Sequence, residues 1–495
     1  MSPRQRLTLI AAILGSAVVM IDGTIVNVAL PAIERDLGGG LPAQQWVSNA
    51  YLLALGSLIL IGGSLGDIFG ERRVFAVGVS AFGALSVVCA LAPTIGVLIG
   101  ARALQGVAGA LVTPSSLAVI VGAFDSRERS AAIGSWTAWS GIGTIIGPLA
   151  GGTIVDQVSW RWIFAINVPV VVIAVALILA AVERTPERAA RRVDVVGASL
   201  CALGLGGVVF ALIEEPRFGW GSAAIVAPLV GGALAFASFL VFERRAREPM
   251  LKLELFSRRN FAIGNVETLA MYAGLSILFF FLVIFLQQVA GYSAVKSGLT
   301  TVPVTVLMFF LSKRIGALAD RFGSRLFMGA GPLVAAAGIL MLLRLDMHAS
   351  YGADVLPALI LFGIGLSLTV APLTATVLAD ADETDAGIAS AVNNAVARVA
   401  GLVGVSVVGV VVSGTLVGDS FAANHASVRA FHEVVAIAAV LVAAGGVAAA
   451  IGIVNPRRAV AASGCPGGQL VGSPQVGTAA GQLHRLSGAF KAEEA

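Results

Sequence analysis

Apolar residues run along this chain in long stretches, broken by short charged or Pro/Gly-rich segments. Fourteen stretches approach the length of about 20 residues that a helix needs to cross a bilayer. They fall at 7–30, 47–66, 74–92, 97–121, 131–153, 163–182, 195–213, 223–242, 261–288, 298–315, 326–345, 354–379, 386–412 and 430–453. The tenth is the least apolar, beginning among Thr300, Thr301 and Pro303. Met1 to Arg6 look like the basic start of a signal peptide, but no small-residue cleavage site precedes the polar exit at Glu34, so the first stretch reads as a retained helix. The pattern predicts an all-α integral membrane protein.

Composition agrees with lipid as the main solvent. Hydrophobic residues make up 57% and charged residues 12%, where a soluble domain carries about 25% charged residues. Mean hydropathy is +0.92. Cys89, Cys201 and Cys465 lie far apart and suggest neither a disulfide framework nor a metal site. Arginine is preferred to lysine and alanine, glycine and valine abound, a usage that fits a GC-rich bacterial genome.

The net charge of +4 does not point to nucleic acid, because the basic residues are dispersed through short loops. With a cytoplasmic N-terminus and fourteen crossings, 22 loop arginines and lysines lie inside and 6 outside, the bias that orients membrane proteins. The inside set includes Arg72, Arg73, Arg184, Arg188, Arg191, Arg192, Arg247, Arg325, Arg457 and Arg458. Both termini are then cytoplasmic. One inside loop is acidic, with Asp380, Asp382, Glu383 and Asp385, but acids count little in this rule. Trp46, Trp160, Trp162 and Trp220 fall near the expected outer interface, as an aromatic belt would. The tail from Asn455 to Ala495 has no apolar stretch and is expected to be disordered.

One short sequence occurs twice. Gly63-Ser-Leu65-Gly-Asp67-Ile-Phe-Gly70-Glu-Arg72-Arg73 returns as Gly316-Ala-Leu318-Ala-Asp320-Arg-Phe-Gly323-Ser-Arg325, with matched positions 253 residues apart. Six helices at about 30 residues each would separate two copies by about 180, so the excess fits two helices inserted between related halves. The expected organisation is a six-helix bundle at 7–182, two inserted helices at 183–260, a second six-helix bundle at 261–454 and the tail at 455–495. Half-repeats of this kind mark transporters whose substrate site lies between the halves.

At these residues the chain resembles the major facilitator superfamily, and within it the fourteen-helix drug:proton antiporters, over about residues 7–455. The duplicated segment is similar to the superfamily signature. Ile21-Asp22-Gly-Thr24 through Asn27 to Pro31 looks like the first-helix motif of that branch, and Arg102-Ala-Leu-Gln105-Gly106 resembles its membrane-buried arginine motif. Gly143, Gly147, Pro148, Gly151 and Gly152 match the motif associated with antiporters, and Trp160-Arg161-Trp162 through Asn167 to Pro169 is also typical. The second repeat departs from the first in having Ser324 and a single Arg325. The resemblance implies a proton-coupled exporter of hydrophobic or cationic compounds working by alternating access. It uses no cofactor beyond the coupling proton and needs no nucleic-acid partner, and we expect a monomer in the bacterial cytoplasmic membrane.

The residues themselves leave several roles open. Asp22 and Arg102 lie about 12 Å and 8 Å below the outer ends of their helices, so an ion pair is allowed, either as a proton-coupling site or as a permanent structural pair. The resemblance suggests a proton relay through Arg102, with Gln105 on the same face. Glu267 is a proton or substrate candidate placed to snorkel towards the interface, with Asn265 and Tyr272 beside it as cavity lining. Arg398, Asn393 and Asn394 form a polar patch whose role is packing or function. The glycines of the fifth stretch permit close helix approach and Pro148 favours a bend. Asp67 and Asp320 are expected to meet helix ends and Arg72 or Arg325; by resemblance these contacts, with Gly63, Gly70, Arg73, Gly316 and Gly323, latch the cytoplasmic side. Asn27, Gln105, Trp136, Trp139, Tyr272, Gln288 and Asn393 are candidate cargo contacts, Trp136 and Trp139 sharing one face. Phe279, Phe280, Phe281 and Phe285 read as packing or lining. Competing readings are a narrow exporter or facilitator of a metabolite, antibiotic or lipid, and a non-transporting membrane sensor. No nucleophile–base pair or phosphate-binding loop suggests an enzyme.

Overall fold

The structure is a computed structural model that describes residues 1–183, 194–246, 249, 251–382, 386–418 and 420–455. Arg184, Arg188, Arg191, Arg192, Arg247, Glu383, Asp385, Cys465 and the tail from residue 456 on lie outside the described residues. All regular structure among the described residues is helical. The chain forms α1 (Pro3–Leu37), α2 (Gly40–Phe69), α3 (Glu71–Ala90), α4 (Ile95–Ala123) and α5 (Ser126–Gln157). The short α6 (Trp162–Ala165) leads into α7 (Asn167–Ala181), and α8 (Val195–Phe218) and α9 (Ala223–Arg245) follow. Then come α10 (Arg259–Gln288), the short α11 (Ala294–Leu299) leading into α12 (Val302–Phe322), α13 (Ser324–Met341), α14 (Leu356–Ala379), α15 (Ala386–Ser413) and α16 (His425–Gly452).

Local chemistry sets several of these ends. Ser2 and Gln5 form a reciprocal capping box at the start of α1, with Pro3 in the first turn. Asn424 caps α16 by accepting from the Ser427 backbone N–H at 2.8 Å. Among the described residues twelve helical segments are long and apolar enough to cross a membrane, and a bent α2 makes a thirteenth. The predicted fifth stretch lies in α5, a helix of 32 residues whose sequence is rich in glycine, serine and threonine.

The helix packing repeats. In the first half α2 and α3 pack on α4, α1 packs on α5 and α7, and α3 packs on α7. In the second half α12 and α13 pack on α14, α10 packs on α15 and α16, and α13 packs on α16. α8 and α9 pack on each other, and α8 also touches α2 and α15. Trp46 anchors that contact: its indole N–H donates to Glu214 at 2.8 Å and its ring lies 6.0 Å from Phe210.

The repeated segments are not loops. Gly63 to Phe69 form the last turns of α2, Gly316 to Phe322 those of α12, and the chain reverses at one residue each time. Gly70 (φ 86°) and Gly323 (φ 90°) make these reversals with backbone angles that L side chains rarely adopt. At the opposite end the halves are clamped together. Gln287 donates to the Val28 carbonyl at 2.9 Å, Gln288 to Glu34 at 3.3 Å, and Ser420 to Glu34 at 2.9 Å. Asp156 accepts the backbone N–H groups of Ala294 and Val295 at 2.9 and 2.8 Å. Gln45 donates to the Val405 carbonyl at 2.7 Å and Asn49 to Ser406 at 3.0 Å.

Trp160 is 4% exposed and donates to Asp36 at 2.9 Å, so it plugs the end of the first half and does not join an aromatic belt. Trp162 and Trp220 are exposed, as a belt requires.

The clamp depends on bare backbone: a Cβ on Gly298 would lie 2.5 Å from the Pro148 carbonyl oxygen. Gly298→Val should act against the clamped arrangement by about 1–3 kcal/mol, the usual effect of overpacking. In a Ser420→Cys background, an impermeant maleimide applied from the clamped side should then label several times faster. Unchanged labelling would show that close approach at Gly298 does not hold the clamp.

Candidate functional site

The first half encloses a charged centre. Asp22 on α1 has no exposed surface and Arg102 on α4 is 1% exposed. Their side chains form an ion pair through Arg102 Nη1. The same guanidinium donates to Gln105 Oε1 at 2.8 Å and, through Nε, to the Val47 carbonyl at 3.2 Å. Asp22 also accepts from Asn167 of α7 at 3.2 Å and from Gln105 at 3.4 Å. Ser86 of α3 accepts from Gln105 at 2.8 Å and from Asn167 at 3.3 Å. The Tyr51 ring lies 4.2 Å from the guanidinium carbon, close enough for cation–π attraction. Helices α1, α2, α3, α4 and α7 thus converge on one buried pair.

Burying two charges is costly unless the remaining donors and acceptors are satisfied, and here the neighbouring polar groups do so. The sequence reading picked out Asp22, Arg102 and Gln105. It gave no site role to Asn167, which stood only as part of the Trp160–Pro169 motif, nor to Ser86 or Tyr51, each a lone polar group inside an apolar stretch.

The second half holds a different kind of acid. Glu267 of α10 has no exposed surface, and neither carboxylate oxygen has a hydrogen-bond partner. Its backbone lies against Gly445 of α16, whose added Cβ would meet the Glu267 carbonyl oxygen at 3.6 Å. It does not snorkel to an interface as expected, because its helical position turns it into the packed half. Asn265 and Tyr272, expected as cavity lining, are 3% and 6% exposed. Asn393 of α15 donates to Asn265 at 3.0 Å and to Thr268 at 2.8 Å, tying α15 to α10.

The repeated turns fasten helix ends. Arg72 donates to the Leu179 carbonyl at 2.6 Å, at the C-terminal end of α7. Arg325 donates to the Ala450 carbonyl at 2.7 Å, at the C-terminal end of α16. Each arginine therefore meets the negative end of the last helix of its own half, where the sequence reading expected an aspartate partner. Asp67, Arg73 and Asp320 each take part in a further polar or ionic contact. The acidic segment after α14 is engaged by Arg258, which donates to the Asp380 carbonyl and pairs with Asp382.

The glycine-rich run of α5 has two packing faces. Cβ atoms on Gly143, Gly147 and Gly151 would lie 3.2, 2.2 and 2.4 Å from Ile21, Thr24 and Ile25 of α1. A Cβ on Gly152 would lie 2.6 Å from Val295 of α11, and Pro148 meets Gly298 there, so the other face belongs to the clamp between halves.

Several expected cargo contacts are otherwise occupied. Trp136 is 1% exposed and donates to Ser16 at 2.9 Å, while Trp139 is 57% exposed. Spacing of three placed them on one face, but the 100° step per residue lets one enter the core and the other leave it. Gln288 is committed to the clamp through Glu34. Asn27 accepts from Ser48 at 3.1 Å and joins α1 to α2. Phe280, Phe281 and Phe285 are core residues, Phe285 stacking on Phe431 at 4.1 Å, and Phe279 packs against that core.

Comparison with known proteins fits this architecture. The profile of the Major Facilitator Superfamily matches residues 12–405. The chain is 36% identical over 417 residues to the multidrug resistance protein Stp of Mycobacterium tuberculosis, covering 84% of this chain and 77% of that protein. It is 36% identical over 432 residues to the puromycin resistance protein pur8 of Streptomyces alboniger, covering 86% and 84%. It is 35% identical over 415 residues to the tetracenomycin C resistance and export protein of Streptomyces glaucescens, covering 84% and 77%. Among solved structures, an auto-inhibited POT-family peptide transporter superposes with a TM-score of 0.67 at 16% identity, covering 93% of this chain and all (100%) of that one. A bacterial homologue of the lysosomal transporter Spinster gives 0.65 at 14% identity, covering 91% and 97%. These comparisons point to transport and not to an enzyme. The chain is a multi-pass membrane protein of the major facilitator superfamily.

Proposed function

We propose that the chain exports hydrophobic small molecules across a bacterial cytoplasmic membrane in exchange for protons. In this reading it crosses the membrane fourteen times, with both termini cytoplasmic, and works as a monomer of two six-helix halves joined by α8 and α9. The clamped end then faces outside, and the repeated turns face the cytoplasm. The positive-inside bias of 22 to 6 supports that orientation. The names of the relatives support export as the direction.

The observation that carries proton coupling is the contrast between the two buried acids. Asp22 is held by Arg102, and among the described residues neither carboxyl oxygen of Glu267 has a hydrogen-bond partner. Charges inside an apolar bundle are costly and mark proton or ion pathways. A proton delivered to Asp22 cancels its attraction to Arg102, which keeps Val47 and Gln105 as acceptors. Asp22 and the clamp residues Val28 and Glu34 lie on one helix, so release at the pair would reach the outer clamp along α1. The complete cover over Asp22 speaks against a cationic cargo competing for that carboxylate in this arrangement. A narrower exporter of one antibiotic or metabolite is the second reading, favoured by relatives named for puromycin and tetracenomycin C.

Everted vesicles with an imposed pH gradient and a lipophilic dye test the main reading. Asp22→Asn should abolish gradient-driven dye movement, and retained movement with unchanged pH dependence would sink the proposal. The same variant strands Arg102, so unfolding free energy should fall by about 3–5 kcal/mol. Combining it with Arg102→Gln should restore most of that stability without restoring transport.

Glu267→Gln keeps the shape of an acid that has no hydrogen-bond partner, so thermal stability should hold or rise. If Glu267 carries a proton, the dependence of transport on internal pH should flatten. An unchanged profile would assign the acid to packing.

A further inference from the structure

The seam between α2 and α15 contains a charge that neither half satisfies. From the clamped end inward, Gln45 meets the Val405 carbonyl, Asn49 meets Ser406, and Gly56 then faces Arg398. The first two layers are closed by hydrogen bonds. In the third, a Cβ on Gly56 would lie 3.6 Å from the Arg398 Cβ, and no polar group of α2 reaches the arginine there. Arg398 is half-buried, and its Nε is covered without a hydrogen-bond partner. Among the described residues no hydrogen bond or ion pair reaches this guanidinium. The titratable group that faces it is Tyr51, whose hydroxyl donates to the Val19 carbonyl at 3.2 Å. Asp22 is enclosed with Arg102, and Glu267 is enclosed in the other half.

A guanidinium nitrogen covered without a hydrogen-bond partner, as Arg398 Nε is, is unfavourable. Its planar fork of donors matches a carboxylate or a similar anion in two parallel hydrogen bonds. Arg398 lies one layer inside the last hydrogen-bonded contact of the clamp, where the surfaces of the two halves stop bonding to each other. Gly56 presents no side chain opposite it, so the stem of the arginine packs close to the α2 backbone and no α2 side chain at that position competes for its head. We propose that Arg398 reads the cargo, and that the exported compounds are hydrophobic bodies bearing one acidic group that pairs with this guanidinium. The proposal rests on the exporter reading and names its substrate class. The charge offered at the seam is positive, which selects against cations.

Binding of three matched probes to the purified full-length chain tests it: pyrenebutyrate, pyrenebutanol and pyrenebutylamine, followed by energy transfer from tryptophan to pyrene. The wild type should bind the acid about ten- to a hundredfold more tightly than the alcohol, the range of a charge-assisted hydrogen bond, and the amine most weakly. Arg398→Gln should erase the preference for the acid while leaving the alcohol's Kd unchanged, and Arg398→Lys should keep part of it. The proposal is overturned if the wild type shows no preference for the acid, including no binding of any probe. It is equally overturned if Arg398→Gln weakens all three alike, the mark of a purely structural arginine. Binding is read without a gradient, so failure of proton coupling would leave this result intact and would show only in the vesicle assay.

Discussion

The structure depends on how an apolar bundle holds charge. Lipid offers no hydrogen bonds, so a buried ion must be paired, neutral or waiting for a partner. Three such sites matter here. Asp22 and Arg102 neutralise each other within a shell of side chains from α3, α4 and α7. Glu267 is enclosed, and among the described residues neither of its carboxyl oxygens has a hydrogen-bond partner. Arg398, at the meeting of the two halves, keeps a covered Nε without a hydrogen-bond partner among the described residues. The first is a closed circuit of hydrogen bonds, whereas the other two keep covered polar atoms without partners among the described residues.

Position along the helices connects these groups to motion. α1 carries Asp22 midway and the clamp acceptors Val28 and Glu34 beyond it. α2 carries Tyr51, which covers Arg102, between the clamp donors Gln45 and Asn49 and the glycine opposite Arg398. A change in the buried pair is therefore felt by the two helices that also form the seam with the other half. α5 adds a third link, since its glycines pack on α1 while Gly152 and Pro148 meet α11. Close backbone approach makes such contacts either formed or broken, with little between.

Much of this was legible in the sequence because membrane helices announce themselves by length. The runs, the two related halves and the excess between them followed from apolar stretches and the 253-residue repeat. The approach of Asp22 to Arg102 followed from comparable depths. Depth alone does not give direction around a helix, and that is where the reading failed. Glu267 was expected near an interface from its distance to the helix end, yet it points into packed helices. Trp136 and Trp139 were placed on one face, but their exposures are 1% and 57%. The repeated segments read as loops because glycine and charge punctuate them, although the helices run on to Phe69 and Phe322. Asn167 and Ser86 were not given site roles because a single polar residue in an apolar run has many uses. Only the convergence of five helices gives these two a particular one.

The inserted helices make the two flanks of the molecule unlike. α8 lies along α2 and α15, its Val209, Phe210 and Ile213 packing over Trp46 and Leu402. Among the described residues, neither α8 nor α9 packs on the opposite flank, where α5 meets α11 and α12, as α8 packs on α2 and α15. A greasy compound dissolved in the bilayer therefore meets a roofed wall on one side and a bare joint on the other. The seam that holds Arg398 thus has a helix laid along it, whereas the joint of α5 with α11 is closed by its own contacts alone.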